Sequence, residues 1–400
     1  MWRLKTSRTL AAGVAAAAAL VSLGAGPSGV TAQAATQSHR PTGHLTSDAP
    51  VTVVAGGLNS PRSLAWGRHG HLLVSEAGAT PPACQGTGFA TKCYGLTGSV
   101  ADISSGKPVR IAEGLATNFN QEETIGPNGL TVGPNGHVYT LSAGSPEQVP
   151  SGLPADLTAE LGKQYGSLMD VTGGRRKVIA NPGSANWQWT TDHKYLVPED
   201  FPASNPYALT NKPGGGFYLV DAASNTLDSV DRHGNVRVLA FVPNTPAGTD
   251  AVPTCLAVGP DHSVYIGQIT GHGNSATAAN VYRYSPRTGS LKVWQSGFSA
   301  ISGCGFGANG DFYVTQFDTT GFLPTGDPVG NVIQIDHRDN SRTVLADGKL
   351  FAPTGFLAGP DGSVYVANKT MMWPACTDAP ACTSSSSIPA TGSGEIVKIG

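Results

Sequence analysis

Charge is scarce in this sequence. Lys and Arg number 25 and Asp and Glu 27, so charged residues make up 13% of the chain, against about 25% in an ordinary soluble domain. That shortage excludes coiled coils and helical bundles dressed in surface charge. The formal charge of −2 provides none of the basic footprint that nucleic-acid binding requires. Long apolar runs are missing as well: the one run, residues 10–23, falls short of the ~20 residues of a membrane span. No GxSxG elbow, HExxH pair or Walker loop occurs, and the close cysteine pairs lack CxxC spacing, so neither standard catalytic motifs nor a zinc ribbon is on offer. What is abundant is turn-forming chemistry, 52 Gly and 29 Pro, with 12 Phe, 11 Tyr and 6 Trp to build a core.

Arg3, Lys5 and Arg8 precede the apolar run, and Ala32, Gln33 and Ala34 follow it. This order predicts a secretory signal peptide over residues 1–34. No paired arginines precede the run and no Cys stands directly after it, so Sec export to the outside of the cell is expected. A polar linker, 35–50, should then lead into one domain over 51–400. Six cysteines in an exported chain suit disulfides. Cys84 with Cys93 and Cys376 with Cys382 should each close a loop, while the spacing leaves open whether Cys255 and Cys304 pair.

One pattern recurs six times without gaps: a short apolar strand, a Gly-Pro-Asn-Gly-like turn, and an apolar strand with Tyr in its middle in every copy but the first. The copies begin at Ser63, Gly129, Ala208, Cys255, Gly303 and Gly355. A third strand follows each copy, and a fourth follows all but the last. Such a meander of strands a to d cannot bury both faces alone, whereas six stacked radially can. The fold class is therefore all-β, a six-bladed β-propeller. The last copy lacks strand d, and the orphan strand at residues 51–55 is expected to complete it, joining both termini in one blade and removing exposed edges.

Superposing the copies aligns two polar rings. Arg62, Asn128, Tyr207, Thr254, Ser302 and Thr354 open strand a; Glu76, Ser142, Asp221, Gln268, Gln316 and Asn368 end strand b. Both should approach the mouth of the central channel from one face. The long connections, 79–97, 113–126, 143–165, 181–205, 269–279, 317–329 and 369–393, all emerge on that face, which marks it as the binding surface. Arg62, Glu76, Asn128, Tyr207, Asp221, Gln268, Gln316 and Asn368 are the candidate binding residues. Their partner is expected to be a small molecule or a protein.

The repeat resembles NHL-type six-bladed propellers, most closely at Pro127, Asn128, Gly129 and Leu130 with Gly136 to Tyr139, and at Pro353 to Phe356 with Gly362 to Tyr365. The stretch from Leu58 to Gly144 contains Asn59, Ser60, Pro61 and Arg62, the Cys84/Cys93 loop, and the segment from Asn118 to Leu130. It is similar to the ScyD/ScyE family of exported actinobacterial and cyanobacterial proteins. That resemblance implies a link to secondary metabolism and lends no catalytic motif.

The first functional expectation is thus a non-catalytic binding propeller. A second comes from likeness to lactonases of the gluconolactonase type, which hold a metal in the channel. Glu76, Asn128 and Asp221 could hold Ca²⁺, polarising a lactone carbonyl and activating water. Glu122, Glu123, Asp192, Glu199 and Asp200 add carboxylates to the same face. His193 and His272 offer proton carriers, and Trp187, Trp189 and Tyr195 an aromatic cluster for stacking.

Overall fold

The computed structural model describes residues 44–370 and 392–400, apart from 87–89, 121–122, 247, 272–274 and 323–327. Six antiparallel sheets each contain one a-b-c-d meander. The inner strands are Pro61–Trp66, Pro127–Val132, Pro206–Asn211, Pro253–Val258, Ile301–Phe306 and Thr354–Ala358. Strands b, Leu72–Glu76, Val138–Ser142, Phe217–Asp221, Val264–Gln268, Phe312–Gln316 and Val364–Asn368, pair with them through tight turns. The propeller expected from the repeat is the observed fold.

Closure also follows expectation. Val51–Leu58 pairs antiparallel with Gly394–Ile399, placing Val51 opposite Ile399 and Leu58 opposite Gly394. This sheet runs from the N-terminal strand through Gly394–Ile399 and Val364–Asn368 to Thr354–Ala358. Ahead of the closing strand, Ala49 is buried and Leu45 packs beside Val366 and Ile399. His44 pairs with Asp311 at 2.7 Å, so residues 44–50 lie against the propeller.

The core lies between blades. Leu64, Val74 and Ala101 of the first blade pack with Ala367 and Ile396 of the last, while Tyr265, Phe298, Phe312 and Trp294 join the fourth and fifth. Alternating side chains send one set to each face of a strand, and both faces find a neighbour only in a ring. Glycine near the start of strand a permits the inner strands to approach. A Cβ on Gly129 would lie 2.8 Å from the Leu209 side chain, and one on Gly303 would lie 2.3 Å from the Gly355 carbonyl oxygen.

Two disulfides are formed. Cys84–Cys93 joins a short strand, Ala83–Gln85, to strand c of the first blade, with a Cα separation of 3.9 Å. Cys255–Cys304 joins the inner strands of the fourth and fifth blades at 5.7 Å, which resolves the pairing that spacing left open. Cys376 and Cys382 lie outside the described residues. No helix of the described residues is long and apolar enough to cross a membrane.

Two helices stand in the long connections, where the repeat pattern predicts none. Helix α1, Ala155–Gln164, buries Leu161 against Tyr94, Ala116 and Tyr165. Helix α2, Pro182–Asp192, starts with Pro at its first turn and an Asn181 side chain that accepts from Ser184 N at 2.7 Å, a standard capped entry.

The opposite face carries a repeated clasp between the start of strand b and the end of strand c. His71 pairs with Asp102, His137 with Asp170 at 2.8 Å, Arg283 with Asp261, His337 with Asp311 at 2.8 Å, and Lys398 with Asp361 at 2.7 Å. The acid ends strand c in the first and second blades (Asp102, Asp170) and stands ahead of strand b in the fourth, fifth and sixth (Asp261, Asp311, Asp361), while the contact persists.

Candidate functional site at the channel mouth

The six inner strands enclose a cavity of about 490 Å³, bordered at one end by Arg62, Asn128, Tyr207, Thr254, Ser302 and Thr354. Its size falls within the ~300–1,000 Å³ of small-molecule pockets. The ring that opens strand a therefore does meet at the channel.

Its members divide into two sets. Thr254 Oγ1 donates to Ile301 O at 2.5 Å and Ser302 Oγ to Pro353 O at 2.6 Å, while Thr354 Oγ1 reaches Pro61 O at 3.3 Å. Each hydroxyl thereby stitches its inner strand to that of the next blade. The remaining three make no bond to the next inner strand, although Arg62 links blades through segments outside those strands. Arg62 lies across the mouth, with Nη1 donating to Thr370 O at 3.0 Å and Nη2 to Thr124 O at 2.6 Å. The Asn128 amide and Tyr207 hydroxyl have no partner among the described residues. Burial pushes the Tyr207 phenol up from its ordinary range; Glu123 adds to the rise and the Arg62 guanidinium opposes it. Tyr207 nevertheless keeps partial exposure, because the surface it shows is that of an internal channel.

The ring that ends strand b is placed differently, and the expectation that it faces water at the mouth is corrected. None of its six members borders the cavity, and Glu76 and Asp221 are both 0% exposed. Glu76 accepts from Asn59 N at 2.8 Å and Ser99 Oγ at 2.5 Å, and takes Arg110 through two bonds of 2.9 Å. Asp221 accepts from Asn205 N, Ala223 N and Ser224 N at 2.7–3.0 Å, and from Ser204 Oγ and Asn186 Nδ2. Gln316 and Asn368 repeat the arrangement: each side-chain oxygen accepts a backbone N–H of the incoming connection, from Ser299 and Phe351, and each amide donates to strand c, at Asn331 and Glu395. Gln268 binds Ala251 O and Asn280, and Ser142 is buried. Apart from Ser142, whose Oγ is buried without a partner, the ring is a set of clamps inside the blades.

These bonds decide the fit of Ca²⁺ to Glu76, Asn128 and Asp221. A calcium site requires six to eight oxygen ligands able to turn toward the ion. Here both carboxylates are saturated by protein donors, and only Asn128 borders the channel, so the trio does not fit the ion. The one grouping of three His, Cys, Asp or Glu side chains at metal-ligand separation among the described residues is His44, Asp311 and Asp336, on the clasp face. There Asp336 already holds Arg338 at 2.7 Å and Asp311 holds His337.

The loop candidates lie farther out. Trp189 stacks on His193 with centroids 4.1 Å apart and lies against Phe241, while Tyr195 is 72% exposed. Trp187 is part-buried on the same helix, and its carbonyl accepts from Thr191 Oγ1 at 2.8 Å. His193 Nδ1 is 2.8 Å from Trp189 O, and Asp192 accepts from Gln188 at 3.0 Å. Glu199 and Asp200 are exposed; half-buried Asp250 is pushed up to about 6 by desolvation first, with Asp200 adding to the rise. Glu122 and His272 lie outside the described residues.

Sequence reasoning passed over Asp228, in strand c of the third blade, Thr226–Val230. It is 0% exposed, and burial together with nearby Asp221 pushes it up to about 8 despite bonds from Asn186 and Thr226. The available signal was an acid in a strand otherwise free of long polar side chains.

No family model and no curated protein matches this chain. Solved structures do resemble it. A gluconolactonase from Xanthomonas campestris aligns over 89% of this chain and 90% of its own, at 10% identity and a TM-score of 0.52. An oxidoreductase described as a glucose dehydrogenase, from a Thermus species, covers 88% and 99% at 14% identity and a TM-score of 0.49. Virginiamycin B lyase from Staphylococcus aureus covers 81% and 82% at 12% identity and a TM-score of 0.43. The first likeness establishes the six-bladed propeller fold, and fold does not fix function.

Proposed function

We propose that this is an exported propeller that binds a small molecule at the mouth of its central channel, on the long-loop face, without acting on it chemically. One observation carries the reading: of six polar residues at the mouth, three are committed to stitching blades, while Arg62, Asn128 and Tyr207 retain hydrogen-bonding capacity beside a cavity of about 490 Å³. Two disulfides suit an oxidising compartment. Membership of the ScyD/ScyE family and a link to secondary metabolism belong to the same proposal and rest on the motifs described above.

A metal-dependent lactonase requires oxygen ligands open to a cation and to substrate. Glu76 and Asp221 do not supply them. A thermal-shift screen of small molecules, with Ca²⁺ and EDTA arms and a parallel lactone hydrolysis assay, tests the choice. A small-molecule hit whose stabilisation disappears in Asn128→Ala is expected, with a melting temperature indifferent to Ca²⁺ and EDTA. Calcium-dependent turnover of a lactone would replace this reading with the hydrolase.

A further inference from the structure

Arg62 is 5% exposed, yet its contacts are with neutral groups, the carbonyls of Thr370 and Thr124. Its Nε is buried without a partner, and it enters no ion pair among the described residues. Arg110, Arg283 and Arg338 have side chains 31%, 47% and 62% exposed, and each rests on a carboxylate. Among the described residues, the most deeply buried of these four arginines is thus the one without an ion-pair partner. A guanidinium offers five N–H donors in a fixed plane, and a charge withdrawn from water is costly unless an opposite charge joins it. The two carbonyls leave donors over and neutralise nothing. They do hold the group in place, since Thr370 follows strand b of the last blade and Thr124 precedes the second.

The surroundings supply the rest of a receptor for an acid. Asn128 and Tyr207 stand at the equivalent positions of the next two blades and border the same cavity. Tyr207 lies within electrostatic reach of Arg62. Farther down, Leu64, Leu130 and Leu256 border the channel, giving apolar wall beneath a polar rim. The opposing charge is Glu123, which also acts on Tyr207.

We infer that the channel mouth binds an organic anion, whose carboxylate or equivalent acidic group rests on Arg62 with donors from Asn128 and Tyr207, and whose body extends down the channel. This rests on the mouth being a ligand site and names the class of ligand. Charge-assisted bonds to a planar guanidinium favour a planar carboxylate.

The test is calorimetric titration of the full mature protein with acetate, benzoate and phosphate, against the neutral analogues acetamide and benzamide. Benzoate should bind at least about ten-fold more tightly than benzamide. Glu123→Gln should tighten benzoate several-fold and leave benzamide unchanged, a change of sign that a structural role would not produce. Tyr207→Phe should weaken benzoate, and Arg62→Gln should abolish the preference. Because Arg62 joins blades and its variant can fail to fold, the Glu123 and Tyr207 variants keep the test decisive. Phosphate binding in place of the carboxylates would support the anion site and assign it a different head group. Equal binding of benzoate and benzamide would overturn the anion while leaving a channel ligand. No saturable response to any of the three anions would overturn it as well, and the thermal-shift screen would then report separately on the channel.

Discussion

The two polar rings differ by one strand in the blade, and that step separates structural from free polarity. At the end of strand b, Glu76, Asp221, Gln316 and Asn368 sit between the incoming connection and strand c, where backbone N–H groups need acceptors. A buried donor without an acceptor costs more than the bond gains, so polar side chains there are required by the fold. At the start of strand a, the neighbour is the next inner strand on one side and an open channel on the other. A short hydroxyl such as Thr254 or Ser302 reaches the neighbouring carbonyl; the longer or planar Arg62, Asn128 and Tyr207 make no such bond to the next inner strand. Polar residues in an apolar strand therefore do not mark a site until their partners are known.

The comparison would break first at Glu76. Glu76→Ala removes the acceptor of Asn59 N and Ser99 and strands Arg110. A buried pair that loses one member costs about 3–5 kcal/mol. The lower end, about 3 kcal/mol, is expected because Arg110 keeps access to solvent. Urea denaturation should show the midpoint falling with an unchanged slope. A loss below about 0.5 kcal/mol, the surface norm, would mean that the ring faces water after all.

Asp228 sharpens the same contrast through pH. Its native value of about 8 lies above the 3.8 of a carboxyl in water, so the native state holds a proton that the unfolded chain releases. Stability from this group is therefore full below about pH 4, falls as pH rises toward about 8, and is flat beyond. Asp228→Asn, which mimics the neutral acid, should match the parent near pH 4 and exceed it near pH 8. Melting curves at the two values check the difference; a variant equally affected at both would assign Asp228 a different role.

The smallest effects separate the members of the mouth ring. Thr254→Ala should cost about 1 kcal/mol for its lost inter-blade bond, whereas Asn128→Ala should stay within about 0.5 kcal/mol and show its effect only on ligand affinity. Equal losses in the two variants would return Asn128 to a structural role.

Much of this was legible in the chain. Six copies of a strand-turn-strand unit with aligned Gly and Tyr specify blade number, because a half-buried sheet has few ways to cover its faces. A missing last strand and an orphan strand at Val51–Ala55 specify closure by the same hydrophobic requirement, and the structure extends that strand to Leu58. The resemblance of the 58–144 stretch added compartment and family expectations rather than geometry. Helices α1 and α2 were not legible: their apolar faces are narrow, and Leu161 becomes a core residue only where the first blade presents Tyr94 and Ala116. Nor was the difference between Asp221 and Tyr207, both polar residues at aligned strand ends. Sequence decides which residues recur and at what spacing, since covalent order and side-chain period need no partner to be read. Tertiary structure alone decides which of them are satisfied, since Asn59, Ser99 and Arg110 reach Glu76, and Thr124 and Thr370 reach Arg62, only once the ring has closed.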